Sequence, residues 1–268
     1  MIYFNEDGRR VASEGLRVFG EVPKTYYQIQ QPKIDYKKIL KNAIEFGGLD
    51  SAVSLPNFEF ACAKLKQQIE TNPSYANLFK GIHIPFICKK NASSDDIGSD
   101  LENIVLPNYQ KAFNVQFPEN HFKAVLQGDS KLPYNLLLDP RSRYQGFLQK
   151  NKENVLIGWY FPQALQEFDI ESQRQQMLAL PDVGNVCLSG GVDILSALIG
   201  FPGLLISQDF YAPILCLSAY IHSDPRLVLL IKSYGPHMEF WCMTQMLTQN
   251  ITQVSEQWAG GITFYSPL

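Results

Sequence analysis

Several things are scarce in this 268-residue chain, and each scarcity excludes something. The five cysteines (Cys62, Cys88, Cys187, Cys216, Cys242) are odd in number, and no two form a C-x-x-C pair. That excludes a disulfide framework and a zinc ribbon. Cys62, Cys88 and Cys216 lie in apolar runs and read as small core side chains. Basic residues gather only in short pairs (Arg9-Arg10, Lys37-Lys38, Lys89-Lys90) and the formal net charge is −3, so no cationic footprint for nucleic acid is present. Long apolar runs are missing too. The most apolar window, 186–206, is broken by Gly190-Gly191, Asp193 and Pro202, whereas a bilayer span needs about 20 largely unbroken apolar residues. The opening MIYFNEDGRR lacks the charged-then-apolar order of a secretory leader. A cytoplasmic protein without membrane contact is the expectation. Internal repeats, low-complexity tracts and obvious linkers are also absent.

What remains is an ordinary globular composition, 46% hydrophobic and 18% charged, which suffices for a sizeable core. We read one domain over 1–268, with a helix-rich part at 1–150 and a sheet-rich part at 151–268. Residues 151–268 hold only four Lys and Arg against ten Asp and Glu, and are rich in glycine and apolar residues, as expected of the more interior portion.

Spacing predicts a helix over 33–48, with Tyr36, Ile39, Leu40, Ala43 and Ile44 on one face and a stop at Gly47-Gly48. A second follows from Leu55, with Ser54 as cap, Pro56 in the first turn and a stripe of Phe58, Cys62, Leu65 and Ile69. Residues 83–89 read as a strand. Asp95, Asp96 and Asp100 surround the start of a helix over 98–113, with Ser99 as a cap candidate. Acids there complement the positive helix end, and three aspartates also invite a cation. Segments 121–128 and 133–139 read as strands around a turn at 128–132, and 155–161 as another strand. A helix is expected over 163–180, then strand, Gly-Gly turn and helix over 186–199. Strands at 213–220, 226–234 and 239–246, joined by short loops, form an antiparallel meander, with GITFY (261–265) as one further strand. The fold class is α+β: a mostly antiparallel sheet with a C-terminal β-meander and helices packed on it.

The strand–GG–helix at 186–199 resembles a phosphate-cradling turn in outline, but it has neither GxGxxG nor GxxxxGK[ST], and Asp193 in the first turn would repel a phosphate. Ser189 stands before the glycines without a GxSxG motif. Cys187 stands at the same helix entrance, where a thiolate would be favoured, although a buried core thiol explains it equally. Asp-Pro-Arg occurs at 139–141 and again at 224–226. Asp followed by Pro is turn chemistry, and Arg141 with Arg143 forms a small anion-binding candidate.

The densest chemistry is the stretch HSDPRLVLLIKSYGPHMEFWCM (222–243), with His222 near Asp224 and His237 near Glu239. The two pairs flank one strand and so lie roughly 25 Å apart, too far for a single metal. His237 with Glu239 supplies two ligands where three are usual, leaving His83 and His121 as unplaced thirds. No metal or cofactor is therefore expected. In a strand, His237, Glu239 and Trp241 share a face. They can line a pocket in which His237 and Glu239 act as an acid–base pair and Trp241 contacts the ligand. The stretch SEQW (255–258) would join them if the chain returns along the sheet.

The helix LSGGVDILSALIGFPGLL, the strand FYAPILCLSAY, the return strand DPRLVLLIKS and the EFWCM element follow one another over residues 188–243. This order resembles the end of an uncharacterised bacterial family, a domain of unknown function. The resemblance implies a bacterial cytosolic α+β protein and no particular site. Two functional readings stand side by side. One is binding of a small polar ligand, with hydrolase-like chemistry at His237 and Glu239. The other is a non-enzymatic protein-interaction factor (effector, immunity or assembly protein). A concave pocket with converging polar groups favours the first, and a flat apolar patch the second.

Overall fold

The computed structural model describes residues 3–12, 26–90, 96–126, 131–244 and 257–268. Helix α1 (Tyr36–Glu45) begins where the Asp35 side chain accepts the Lys38 N–H. It ends at Gly47-Gly48, where Gly48 adopts φ +69°. Helix α2 (Leu55–Glu70) is capped by Ser54, whose hydroxyl accepts the Asn57 N–H at 3.3 Å. Its stripe of Phe58, Cys62, Leu65 and Ile69 is fully buried, as the spacing predicts.

Strand β1 (Ile84–Cys88) leads to a helical run with a flaw in it: α3 (Ile97–Asp100), a π-helical turn (Leu101–Val105) and α4 (Leu106–Gln116). Asp96 caps this run, not Ser99, accepting the N–H groups of Gly98, Ser99 and, at 2.9 Å, Tyr134. Two carboxylate oxygens satisfy three donors where one hydroxyl could not. Asp95 lies outside the described residues, and no group of three or more metal-ligating side chains occurs among those described.

Strands β2 (Phe122–Leu126) and β3 (Leu136–Leu138) form where expected but do not pair with each other. The N–H groups of Leu132 and Tyr134 are held by Glu102 and Asp96, which draws this segment onto α3 and away from β2. After α5 (Tyr144–Glu153), strand β4 runs over Leu156–Gln166. It absorbs the first residues of the helix expected at 163–180. Leu165 and Gln166 pair with Gly260 and Ala259, so strand pairing overrides local helix propensity, and α6 (Ile170–Ala179) starts only at its Asp169 cap. Then come β5 (Val186–Leu188), α7 (Gly191–Gly200), β6 (Ile214–Cys216), β7 (Tyr220–His222), β8 (Leu227–Tyr234), β9 (His237–Thr244) and β10 (Trp258–Pro267).

The main sheet runs β1-β4-β10-β6-β8-β9-β2, with β5 on the second half of β10; β3 and β7 form a separate pair. Only β10–β6 and β2–β9 are parallel, so the molecule is α+β with a mostly antiparallel sheet. The meander β6, β8, β9 is present, whereas the "further strand" of GITFY lies at the centre, inside β10. Along β4, Ile157, Trp159 and Phe161 enter a core with α1, α2 and α6, while Leu156 and Tyr160 enter a second core with α4, α5 and α7. A strand buried on both faces reads as a continuous apolar run. On β8 and β9, Leu229, Ile231, Met238, Phe240 and Cys242 join the second core. The opposite face carries a small cluster of Val228, Leu230 and Trp241 with Cys216 and Trp258. No helix among the described residues is long and apolar enough to cross a membrane.

Candidate functional site

His237, Glu239 and Trp241 do share a face of β9, as the period of two requires. They do not assemble an acid–base pair. The His237 ring stacks on His121, with centroids 3.9 Å apart, and its Nδ1 accepts the His121 N–H at 3.2 Å. Glu239 accepts the Trp241 indole N–H at 2.7 Å and lies 3.7 Å from the Lys232 ammonium, which itself sits 4.1 Å from the centre of the Trp241 ring. This is a cross-strand ladder of the kind that stabilises sheets. The two side chains are engaged separately: His237 stacks on His121 beside β2, while Glu239 takes the Trp241 indole along its own strand and Lys232 across it. His222 lies on β7, beyond the other end of β8, where its Nδ1 accepts the Asp224 N–H at 3.0 Å. His83 packs against Phe79 and Trp159, and burial pushes its pKa down. Of the SEQW stretch, Ser255 and Glu256 lie outside the described residues, while Trp258 opens β10 and packs on the same small apolar cluster as Trp241.

Arg141 and Arg143 are corrected as well. The Arg141 guanidinium grips Asp139 (2.7 and 2.9 Å) and Glu171 (2.5 and 2.9 Å), so its donors are already met by two carboxylates. Arg143, at φ +59°, reaches the carbonyls of Met177, Leu180 and Pro181 at the end of α6. There it meets the orphan acceptors and the negative end of a helix. Neither arginine is presented to an anion.

The Gly-Gly turn before α7 is filled from within. Asp193 accepts the Gly190 N–H at 2.9 Å and the Tyr144 hydroxyl at 2.8 Å, and the Thr263 hydroxyl donates to it at 2.5 Å. The Tyr144 oxygen also accepts the Val192 N–H at 3.1 Å. Cys187 is buried beside this carboxyl, and burial first and the acid second push its thiol well up, which is the reverse of an activated nucleophile.

The strongest site was not marked by any sequence motif. The end of α1, the end of β1, the π-helical turn, α5 and α7 enclose a cleft of about 540 Å³, counting the space open to solvent. Its walls are mostly apolar, with Ile87, Ile104, Val105, Val192 and Ile199 prominent, and five polar side chains converge on it: Lys89, Asp100, Asn108, Asn151 and Ser196. Asn151 is 1% exposed. Its Nδ2 donates to the carbonyls of Lys89 (2.9 Å) and Asn154 (3.4 Å) and contacts Cys88 Sγ at 3.5 Å. Those acceptors fix which end of the amide is nitrogen. Its Oδ1 is buried with no donor among the described residues. Unmet buried acceptors are uncommon and costly, about 1–3 kcal/mol. π-helical turns, moreover, recur at functional sites because the extra residue re-aims neighbouring side chains. Here that turn supplies Ile104 and Val105 and follows directly on Asp100. Two wider grooves, one along α2 and one beside Tyr211, present polar side chains that already face water, among them Asn57, Gln68, Ser207 and Asp209. No family model matches the chain, and no curated protein or solved structure matches it; its cleft is therefore interpreted from its own geometry.

Proposed function

We propose that this chain binds a small, slender ligand in the cleft between α1, β1, the π-helical turn, α5 and α7. The observation that carries the reading is the buried Asn151 Oδ1, an acceptor fixed in place by its own amide nitrogen and left for a donor from outside. Apolar walls with a few convergent polar groups are the usual composition of a small-molecule site. This favours ligand binding over a protein-interaction role, which a broad flat apolar patch would have supported. Hydrolase-like chemistry at His237 and Glu239 loses its geometric support. Five free thiols, all buried, and a net charge of −3 support a cytoplasmic protein that does not engage nucleic acid. The bacterial origin rests on the pattern of residues 188–243.

The test is native mass spectrometry and thermal shift of the purified protein against a chemically varied set of small metabolites. Wild-type protein and His237→Ala should retain the same ligands, and Ser196→Phe, which fills the cleft, should lose them. Hits that survive Ser196→Phe, or no hits at all, would overturn the proposal.

A further inference from the structure

The groove beside Tyr211 has a chemistry of its own. It lies between the loop at 207–212 and the end of β8, encloses about 1050 Å³ counting the space open to solvent, and shares no lining residue with the cleft. Its rim is aromatic. Six aromatic side chains are exposed among the described residues (Tyr26, Phe60, Tyr134, Phe210, Tyr211 and Tyr234), and three of them gather here. Phe210 and Tyr211 line the groove, and Tyr26 stacks on Tyr211 with ring centroids 4.8 Å apart. Tyr26 thus covers one face of the Tyr211 ring, yet Tyr211 stays 62% exposed. Its main chain is fixed as well, its carbonyl accepting the Gln28 N–H at 2.9 Å. A tyrosine held in this way offers a large contact area at little further cost in side-chain entropy.

Beside the rings stand exposed polar groups. Ser207 Oγ accepts the N–H groups of Asp209 and Phe210, both at 3.1 Å, which folds the loop into a tight turn and leaves the hydroxyl hydrogen to donate outward. Among the described residues, nothing donates to the Asp209 carboxylate and nothing bonds the Gln208 side chain. Lys232, the one cation among the described lining residues, is 3.7 Å from Glu239 and 4.1 Å from the centre of the Trp241 ring, so an anion finds no unpaired positive charge and meets Asp209 instead. Aliphatic lining is limited to Ala212 and Ile214, and the cores of protein interfaces are depleted in Asp and Ser, which disfavours a protein partner. A sugar ring fits both halves of the groove. The slightly positive C–H groups on its flat side suit the negative face of an aromatic ring, and its hydroxyls replace the water on a carboxylate, an amide and a hydroxyl.

We infer that this groove is a second binding site, for a neutral saccharide, with one sugar ring on Tyr211 and its hydroxyls on Ser207, Gln208 and Asp209. The test is native gel electrophoresis of the full chain through gels containing hydroxyethylcellulose, xylan, laminarin, glycogen or galactomannan. At least one of these uncharged polymers should retard the protein. Tyr211→Ala should weaken that retardation about tenfold, the loss of one well-placed aromatic contact, while Tyr211→Phe, which keeps the ring, should retain it. Asp209→Asn should weaken it about fivefold, since hydrogen bonds to a charged acceptor exceed neutral ones by about 1 kcal/mol. All three changes are at exposed side chains, so melting temperature should hold and serves as the control for folding. Retardation by none of the five polymers overturns the proposal and leaves the aromatic rim to a protein partner. Retardation that survives Tyr211→Ala, or is lost equally in Tyr211→Phe, also overturns it. Retardation abolished by Ser196→Phe and kept in Tyr211→Ala would place the sugar in the cleft, overturning this site and not the ligand-binding role of the cleft.

Discussion

Two buried aspartates show how one residue type takes opposite electrostatic roles. Asp139 is 1% exposed, with Arg141 closing on it from the same Asp-Pro-Arg turn and Arg174 at 3.3 Å. Burial alone would push its carboxyl up, but the hydrogen bonds and charges of these arginines hold it below the usual range. Its stabilisation is thus present above the unfolded value near 3.9 and is lost as pH falls through the lower folded value. The second Asp-Pro-Arg closes in the same way, Arg226 on Asp224, and draws that carboxyl down to about 2. Asp193 is the reverse case. It is completely buried, faces no cation within hydrogen-bond reach among the described residues, and burial outweighs its donors from Thr263, Tyr144 and Gly190, so its pKa is raised. A raised folded pKa means that the protonated form is favoured on folding. The contribution is full below about pH 4 and disappears as pH rises through the folded value. The amide of Asp193→Asn fits the same network, its oxygen accepting from Tyr144 and Gly190 and its nitrogen donating to the Thr263 hydroxyl, which can turn to Ser189 at 2.8 Å. Chemical denaturation from about pH 4 upward should show wild-type stability falling relative to Asp193→Asn. A constant gap between the two across that range would show that the carboxyl is ionised throughout.

At the scale of elements, the π-helical turn has the greatest consequence for the cleft. It holds one residue more than an α-helix would, and such turns behave as single insertions whose removal restores α geometry without rotating the flanking helix. Asn103 is the exposed residue at the middle of Leu101–Val105. Deleting Asn103 should leave far-UV helix content and cooperative melting intact while Ile104 and Val105 leave the cleft wall. Ligand binding in the cleft should fall by about tenfold or more, the loss expected when packing of a site is displaced by about 1 Å. Retained affinity would remove the π-helical turn from the account of the site. The elements also show which parts of the fold were legible in the sequence. Helix α2 was, because its cap, its Pro56 and its four-residue stripe all agree. The β8–β9 hairpin was, because Gly235 at φ +57° joins two alternating runs across a short loop. The partner of β2 was not, since alternation says which face is buried and nothing about which strand lies alongside. The cleft was hidden for a similar reason: Lys89, Asp100, Asn151 and Ser196 are distant in sequence, and an unmet Oδ1 is visible only once the donors around it are placed.

Across the whole molecule, β4 and β10 divide the interior into two cores and belong to both. Gly158 of β4 lies opposite Tyr265 of β10. A Cβ on it would lie 2.4 Å from the Phe86 ring and 2.5 Å from the Phe264 carbonyl oxygen, and the latter is backbone of the neighbouring central strand. The ring can turn aside, but the carbonyl moves only if β10 moves. Gly158→Ala should therefore cost at least about 2 kcal/mol, toward the upper part of the range for overpacking a well-filled core. How that loss spreads is the more informative quantity. Within the sheet, the described strands β8 and β9 connect to β4 through β6 and β10. If residues 1–268 fold as one domain, the slowest-exchanging amides of β4 and those of β8 report the same opening free energy, and Gly158→Ala lowers both equally. If the meander is a unit of its own, amides at Ile157 and Phe161 lose protection while those at Leu229 and Ile231 keep theirs. The continuity of the second core argues for the first outcome: Leu156 and Tyr160 of β4 pack in the same cluster as Leu229, Ile231 and Phe240, so the meander cannot stay closed once β4 has left.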